Sequence, residues 1–528
     1  MNLGPVIMWP KTTIFWGAGA CAQLNISTTA QQGEMVLDLI DEGHERGWPK
    51  GLAWFKGYQD KVGHLLNVLG HKDSRLDQFS DSELESLHEL FQNLGEKDRR
   101  NRGVSLRQNY DWDALRKIAA LCPKVKDRLI MDLFNVIDGF IESGRELKFS
   151  NTGEGVPYIQ NYRMKPARNC LVMLIGTLFK ANYLDALKND PSKLEPYIDF
   201  AQALADLMME EGKARSEKPI SDRAYFLFSY AVVSMNFDPV LLWLLFKAHK
   251  SANENPPGLG CPSRRIQLFH DMGCVLGWNE SKDSMIYSMH ESAVQRLNND
   301  QRPGDRAIRM GKFYYPHGCL SWRECPHCGK VFSSLGGDWE YESQHIFPRT
   351  LVDEMDGEMT TREEDLYQNG QCDAIICRYC GSITGMSDIP VVMQSSFKGK
   401  HPPFIEEIQR DLLVCLENTK HVVLMGYSLP PDDVIWRMKM IGYKGEKDQK
   451  KCTVVVGYRG EDEWMRGEVL GKYVDDHKHD DEGYGVPAIN AAMDIFGKEH
   501  VRAYTGGIPR VWSGSGVKEK VKGILEWR

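Results

Sequence analysis

The chain has 528 residues, 42% of them hydrophobic and 26% charged, with a formal net charge of −8. This is ordinary globular composition, long enough for a large core plus at least one further unit, so two or three packed units are expected. The acidic balance gives no global pull toward nucleic acid or an anionic membrane surface.

The apolar stretches "CLVMLIGTLF" (170–179) and "VLLWLLF" (240–246) fall short of the about 20 residues of a membrane span and are expected to be buried helices. No basic segment followed by a long apolar run and a small-residue cleavage site opens the chain, so a cytoplasmic location is expected.

In chain order, the β-branched and aromatic run "TTIFW" (12–16) predicts a buried strand. It feeds directly into Gly17-Ala18-Gly19-Ala20, with a helix expected from near Ala20. Such a turn lets the backbone approach a pyrophosphate while the following helix offers free N–H groups. Taken alone, it fits a ligand-free strand-to-helix turn equally well. From about 40 to 225 the pattern is helical. "SDSELESLHELFQNLG" (80–95) places Ser80 and Glu83 at capping-box spacing ahead of apolar residues at helical intervals. Segments 112–122, 127–144, 169–188 and 197–214 continue in the same way, and no period repeats.

At 229–238, "SYAVVSMNFD" returns to a β-rich run that ends in Asn236 and Asp238. Asp238 and Pro239 then stand as N-cap and first residue of a helix. "GKFYYPHGCLSW" carries His317 after a possible strand; a lone histidine is more often structural than catalytic. "ECPHCGK" and "ICRYCGS" each place two thiols across a turn closed by glycine. Cys325, Cys328, Cys377 and Cys380 therefore predict a four-cysteine structural zinc site with an insertion in the 48 residues between the pairs, and Cys319 and His327 are nearby competitors for the metal. "HVVLMGYSL" (421–429) and "CTVVVGY" (452–458) are two late strands, the first ending in the turn of Gly426 and Ser428. Strands alternating with helices predict an α/β fold, a doubly wound parallel sheet whose ligand crevice lies at the carboxyl ends of the strands.

In order, "FWGAGAC", "SMNFDP", "YYPHGCLSW", "CPHCG", "CRYCG" and "LMGYSLPPDD" resemble the sirtuin family, in particular its divergent bacterial branch. The motifs run from 14 to about 510, but the stretch 40–225 has no counterpart in the compact sirtuins, and Cys21 stands where the family has serine. The resemblance implies a Rossmann-like core in three parts (1–39, 226–318 and 385–528), interrupted by a helical insertion (40–225) and a zinc-binding module (319–384). It implies NAD as a substrate cut at its nicotinamide–ribose bond. Gly17, Ala18, Gly19 and Ala20 would line the pyrophosphate, Gly426 and Ser428 would face the adenosine half, Asn236 would hold a water or the ribose, Asp238 would sit near the carboxamide and His317 would act as base. The expected activity is NAD hydrolysis to nicotinamide and ADP-ribose, with a role in antiphage defence by analogy. The alternatives are an NAD-dependent protein-lysine deacylase and a catalytically silent NAD-binding assembly protein. The insertion would suit homo-oligomerisation or the sensing of a protein trigger.

Overall fold

β-branched and aromatic runs form the centre of a mostly parallel sheet, and most of the long helical stretch falls, with the cysteine-bearing segment, in a second unit. The computed structural model describes residues 9–24, 26, 35–37, 39–40, 56–70, 75–121, 130–148, 158–215, 227–254, 265–272, 276–277, 286–287, 306–333, 346–352, 361–377, 379–392, 402–430, 433–441, 449–479 and 482–527. The start of the predicted helix 127–144 and much of the insertion between the cysteine pairs lie outside the described residues. By the chain's own contacts there are two compact units, one of Met1–Ile26, Ala186–Cys319 and Pro402–Arg528, the other of Ser27–Asp185 and Leu320–His401.

The first unit is α/β. Among the described residues its sheet has nine strands: β1 (Thr12–Trp16), β2 (Leu227–Ser234), β3 (Arg265–Asp271), β4 (Ile286–Tyr287), β5 (Arg306–Tyr314), β6 (His421–Met425), β7 (Lys451–Val455), β8 (Trp464–Arg466) and β9 (Val501–Tyr504). Their order is β8-β9-β7-β6-β1-β2-β5-β3-β4. Every neighbouring pair is parallel except β8 with β9. β1 sits in the middle, and every residue of β1 and β6 is buried, as continuous apolar runs of a covered parallel sheet require. Helix Val240–Glu254 connects β2 to β3, Pro403–Asn418 precedes β6 and Val434–Ile441 separates β6 from β7.

Helix Glu195–Arg215, at the end of the long helical stretch, belongs to this unit. It brings Tyr197 and Phe200 against Trp16 and Trp512, with Phe200 and Trp512 centroids 4.7 Å apart. The Tyr197 hydroxyl donates to the Ala20 carbonyl at 2.9 Å, so this aromatic cluster fixes the turn after β1. On β5, buried Lys312 forms ion pairs with Asp271 at 2.8 Å and Asp411 at 2.7 Å, and the Tyr314 hydroxyl donates to Asp411 at 2.6 Å. Two carboxylates around one ammonium hold its pKa above the ordinary lysine range despite burial. The network ties β5 to β3 and to helix Pro403–Asn418 just before the His317 turn.

In the second unit, helices cover Lys56–Leu69, Asp81–Leu90, Glu96–Asn109, Trp112–Leu121, Ile130–Ser143 and Met164–Asn189. The capping box is present in full: Ser80 Oγ accepts the Glu83 N–H and the Glu83 carboxylate accepts the Ser80 N–H. Among the described residues one helix, Asn161–Asn189, is long and apolar enough by length and composition to cross a membrane, and 67% of its most apolar stretch is buried inside the protein. The "CLVMLIGTLF" run lies within it and is largely core.

Candidate functional site

The parallel register puts the carboxyl ends of β6, β1, β2 and β5 side by side, and neighbouring strands lie about 4.8 Å apart, so four adjacent ends span about 14 Å. All the residues expected at a nucleotide site leave from these ends. Gly17–Ala20 follows β1, Asn236 and Asp238 follow β2, His317 follows β5 and Gly426–Ser428 follows β6.

The turns are knitted together by the backbone. Gly17 N–H donates to the Met425 carbonyl at 2.9 Å, Gly19 N–H to the Gly426 carbonyl at 3.0 Å and Met235 N–H to the Trp16 carbonyl at 2.9 Å. A Cβ on Gly17 would lie 2.5 Å from the Gly426 carbonyl oxygen. Gly426 has φ +57°, and a Cβ there would collide with the Ala20 nitrogen and the Gly19 carbonyl carbon. These two glycines are therefore required by the close approach of two turns. Ala18 and Gly19 stay partly accessible, Gly17 and Ala20 are buried, and Ser428 is exposed. The helix expected from near Ala20 is a seven-residue 3₁₀ helix, Ala18–Leu24, whose Cys21 Sγ accepts the Trp16 indole N–H at 3.3 Å. Burial pushes the Cys21 thiol well above its ordinary range, so it is a packed core group and not a reactive thiolate.

Asn236 is buried, with its backbone N–H held by Ser234 Oγ at 3.3 Å, while its side-chain amide is enclosed beside the Asp238 carboxyl. Asp238 accepts the Val240 N–H at 3.0 Å through Oδ1, the expected helix cap. Its carboxyl is fully buried, and desolvation lifts it to about 6 against the pull of the Val240 N–H and of the neighbouring Asn236 side chain. A buried carboxyl shifted toward neutrality is costly to maintain in a core, and such groups concentrate at functional sites.

His317 is also buried. Its turn is braced by Gln409 Nε2, which donates to the Pro316 carbonyl at 2.9 Å, and its ring lies 6.2 Å from that of Phe237. Its Nε2 lies 3.7 Å from Asp433 Oδ1. Asp433 accepts a short hydrogen bond from the Tyr427 hydroxyl, and its carbonyl accepts the Arg437 N–H that opens helix Val434–Ile441. Tyr427 stacks on Phe15 of β1 at 5.7 Å. Between them Leu429, fully buried, holds a left-handed φ of +51°, a strained value for a side chain branched at Cγ. Asp433 and Tyr427 are site residues that the sequence did not single out. Their one local signal is the "GYSLPPDD" phrase, whose last residue is Asp433.

The cysteines form a separate centre in the second unit. Strands 322–324 and 331–333 make one antiparallel hairpin, and 374–376 and 383–385 another. Each closes through the same knuckle. Cys325 N–H donates to the Lys330 carbonyl at 2.9 Å and Gly329 N–H to the Cys325 carbonyl at 2.8 Å. Cys377, Ser382 and Gly381 repeat the pattern at 2.8 and 2.9 Å. The left-handed φ of Gly329 (+64°) and Gly381 (+71°) explains the glycine after each second cysteine. The four sulfurs lie within 4.8 Å of one another, with Cys325–Cys380 and Cys328–Cys377 both 3.7 Å apart. A tetrahedral ion bonded to sulfur at about 2.3 Å demands sulfur separations of about 3.8 Å, so this set could hold a metal such as zinc. Cys319 and His327 are not part of it. A polar cleft of about 470 Å³ lies elsewhere in this unit and holds none of the expected nucleotide-site residues.

No protein-family model matches the chain, and comparison with curated proteins gives no match either.

Proposed function

We propose that this chain is a sirtuin-like NAD glycohydrolase of the divergent bacterial kind, with a Rossmann-like doubly wound core and a structural zinc. The observation that carries the proposal is the convergence of Asn236, Asp238, His317 and the Gly17–Ala20 turn at three adjacent strand ends, those of β1, β2 and β5, with the Asn236 amide and the Asp238 carboxyl enclosed there. Nicotinamide leaves a cationic pyridinium as a neutral base, so the step needs no general acid. It needs a held ribose and an activated water. Asn236 Nδ2 donates to the ribose or to that water, Asp238 faces the carboxamide, and His317 takes the proton that water loses as its oxygen bonds the anomeric carbon. The four cysteines close a zinc site with no open position, which stabilises and does not catalyse. A cytoplasmic, antiphage role, with homo-oligomerisation or trigger sensing through the helical stretch 40–225, belongs to the same proposal and rests on analogy.

A silent assembly protein is the second reading, favoured by the tight closure of Gly426 on the Gly17–Ala20 turn. Incubating the purified protein with NAD, with and without an acetylated peptide, decides. The expected result is nicotinamide and ADP-ribose without peptide. O-acetyl-ADP-ribose formed only with peptide makes the protein a deacylase, and no turnover in either arm favours the silent reading.

A further inference from the structure

We propose that Asp433, anchored by Tyr427, is the positioning residue for His317. The inference rests on the NAD-cleaving role given to His317 and goes beyond it by naming what orients the imidazole and sets its basicity.

Asp433 is buried and held at three points: its carbonyl begins helix Val434–Ile441, its N–H donates to the Pro430 carbonyl at 3.1 Å, and its Oδ2 accepts the Tyr427 hydroxyl. The other oxygen, Oδ1, is thereby aimed at His317 Nε2, 3.7 Å away. Tyr427 is itself fixed by stacking on Phe15, so the carboxylate is referenced to the central strand β1. The left-handed Leu429 lies between Tyr427 and Asp433, and its carbonyl accepts a hydrogen bond from Arg437 of the same helix at 2.5 Å. Backbone strain in a buried leucine persists where the surroundings over-determine it, and here what it maintains is the geometry of this pair.

At 3.7 Å the carboxylate is in ion-pair range of Nε2, so it stabilises the imidazolium formed when the ring takes the proton from water. The balance is simple. Water's O–H bond breaks and its oxygen bonds the anomeric carbon, the C–N bond to nicotinamide breaks with its electron pair leaving on nicotinamide, and the proton ends on His317. The other titratable groups packed around this edge are Asp238 after β2, Cys21 after β1, and Tyr315 and Cys319 beside His317, with Asp238, Cys21 and Cys319 all raising the Tyr315 hydroxyl further above its ordinary range once burial has done so. Asp433 and Asp238 are the carboxyl groups of this set, and Asp433 lies in ion-pair range of the imidazole.

The test compares wild type with Asp433→Asn and Tyr427→Phe. Asparagine keeps the volume and serves equally well at a helix start, so the fold is retained. Nicotinamide release is followed from pH 5 to 9, and the His317 imidazole is titrated by NMR in the same proteins. Because a nearby carboxylate raises a histidine pKa by about one unit or more, Asp433→Asn should move the acid limb of kcat, and the NMR midpoint of His317, about one unit lower. Its kcat should fall about 10²-fold with KM for NAD little changed. Tyr427→Phe, which keeps the carboxylate and removes its anchor, should give a smaller shift in the same direction. If Asp433→Asn leaves both the limb and the NMR midpoint where they were, the inference is overturned, even if kcat falls. If wild type releases no nicotinamide, the glycohydrolase role fails while the NMR titration still decides whether Asp433 sets the basicity of His317.

Discussion

A carboxyl group buried like that of Asp238 makes folding depend on pH. Burial lifts it from the ordinary 3.8 to about 6, so the folded state binds a proton that the unfolded state releases between those values. With the folded pKa raised, its contribution is fully present below about pH 4 and is lost as pH rises through 6. The cost at pH 8 is about 3 kcal/mol. Asp238→Asn, which keeps the cap on Val240, should therefore gain up to about 3 kcal/mol in urea unfolding at pH 8, with the gap closing near pH 4. An equal gain at both pH values would mean that ionisation of Asp238 is not what costs stability. At the same scale, Asn236→Ala and His317→Ala should each lower nicotinamide release by about 10² to 10⁴ with circular dichroism unchanged. Unchanged turnover in either would remove that residue from the site.

At the scale of elements, the interlocked turns after β1 and β6 set a hierarchy among three glycines that look alike in sequence. Gly426→Ala meets both a left-handed backbone and a collision with the Ala20 nitrogen and should cost about 3 kcal/mol or more. Gly17→Ala meets the Gly426 carbonyl at 2.5 Å and should cost about 1 to 3 kcal/mol. Gly19→Ala, at 3.1 Å from the same oxygen, should cost least. Denaturant midpoints in any other order would mean that the turns are not packed in this way. The same comparison shows what local sequence carries. β1 was legible to the residue because an apolar run stopped by glycine is local information, and so was the Ser80 capping box. β3, "RIQLFHD", was not, because arginine, glutamine and histidine interrupt any apolar run, and β9 is too short to show a period. The 3₁₀ form of Ala18–Leu24 was equally hidden, since the Tyr197 hydroxyl that holds the Ala20 carbonyl comes from 177 residues further along the chain. The site was half legible: motifs named Asn236, Asp238 and His317, but the approach of Asp433 to His317 joins residues more than a hundred positions apart, and only the sheet order brings them together.

At the scale of the molecule, the four cysteines lie in one unit and the nine-stranded sheet in the other. The sheet unit closes on its own apolar strands and aromatic cluster, without a cysteine ligand. The cysteine-bearing part of the second unit is two short hairpins, three residues to a strand, whose shared core is Phe332 with Cys325 and Cys377 themselves. Three-residue strands bury too little to persist alone, so a metal held by these cysteines would supply folding free energy. Cys325→Ser, Cys377→Ser or a strong chelator should therefore lower the melting temperature and bring bound zinc below one equivalent by elemental analysis. Hydrogen exchange should show where the loss falls: amide protection at 322–333 and 374–385 should collapse, whereas β1 and β6 should keep theirs. Loss of protection in β1 and β6 to the same extent would show that the two units fold as one and that the metal holds the sheet as well as the hairpins.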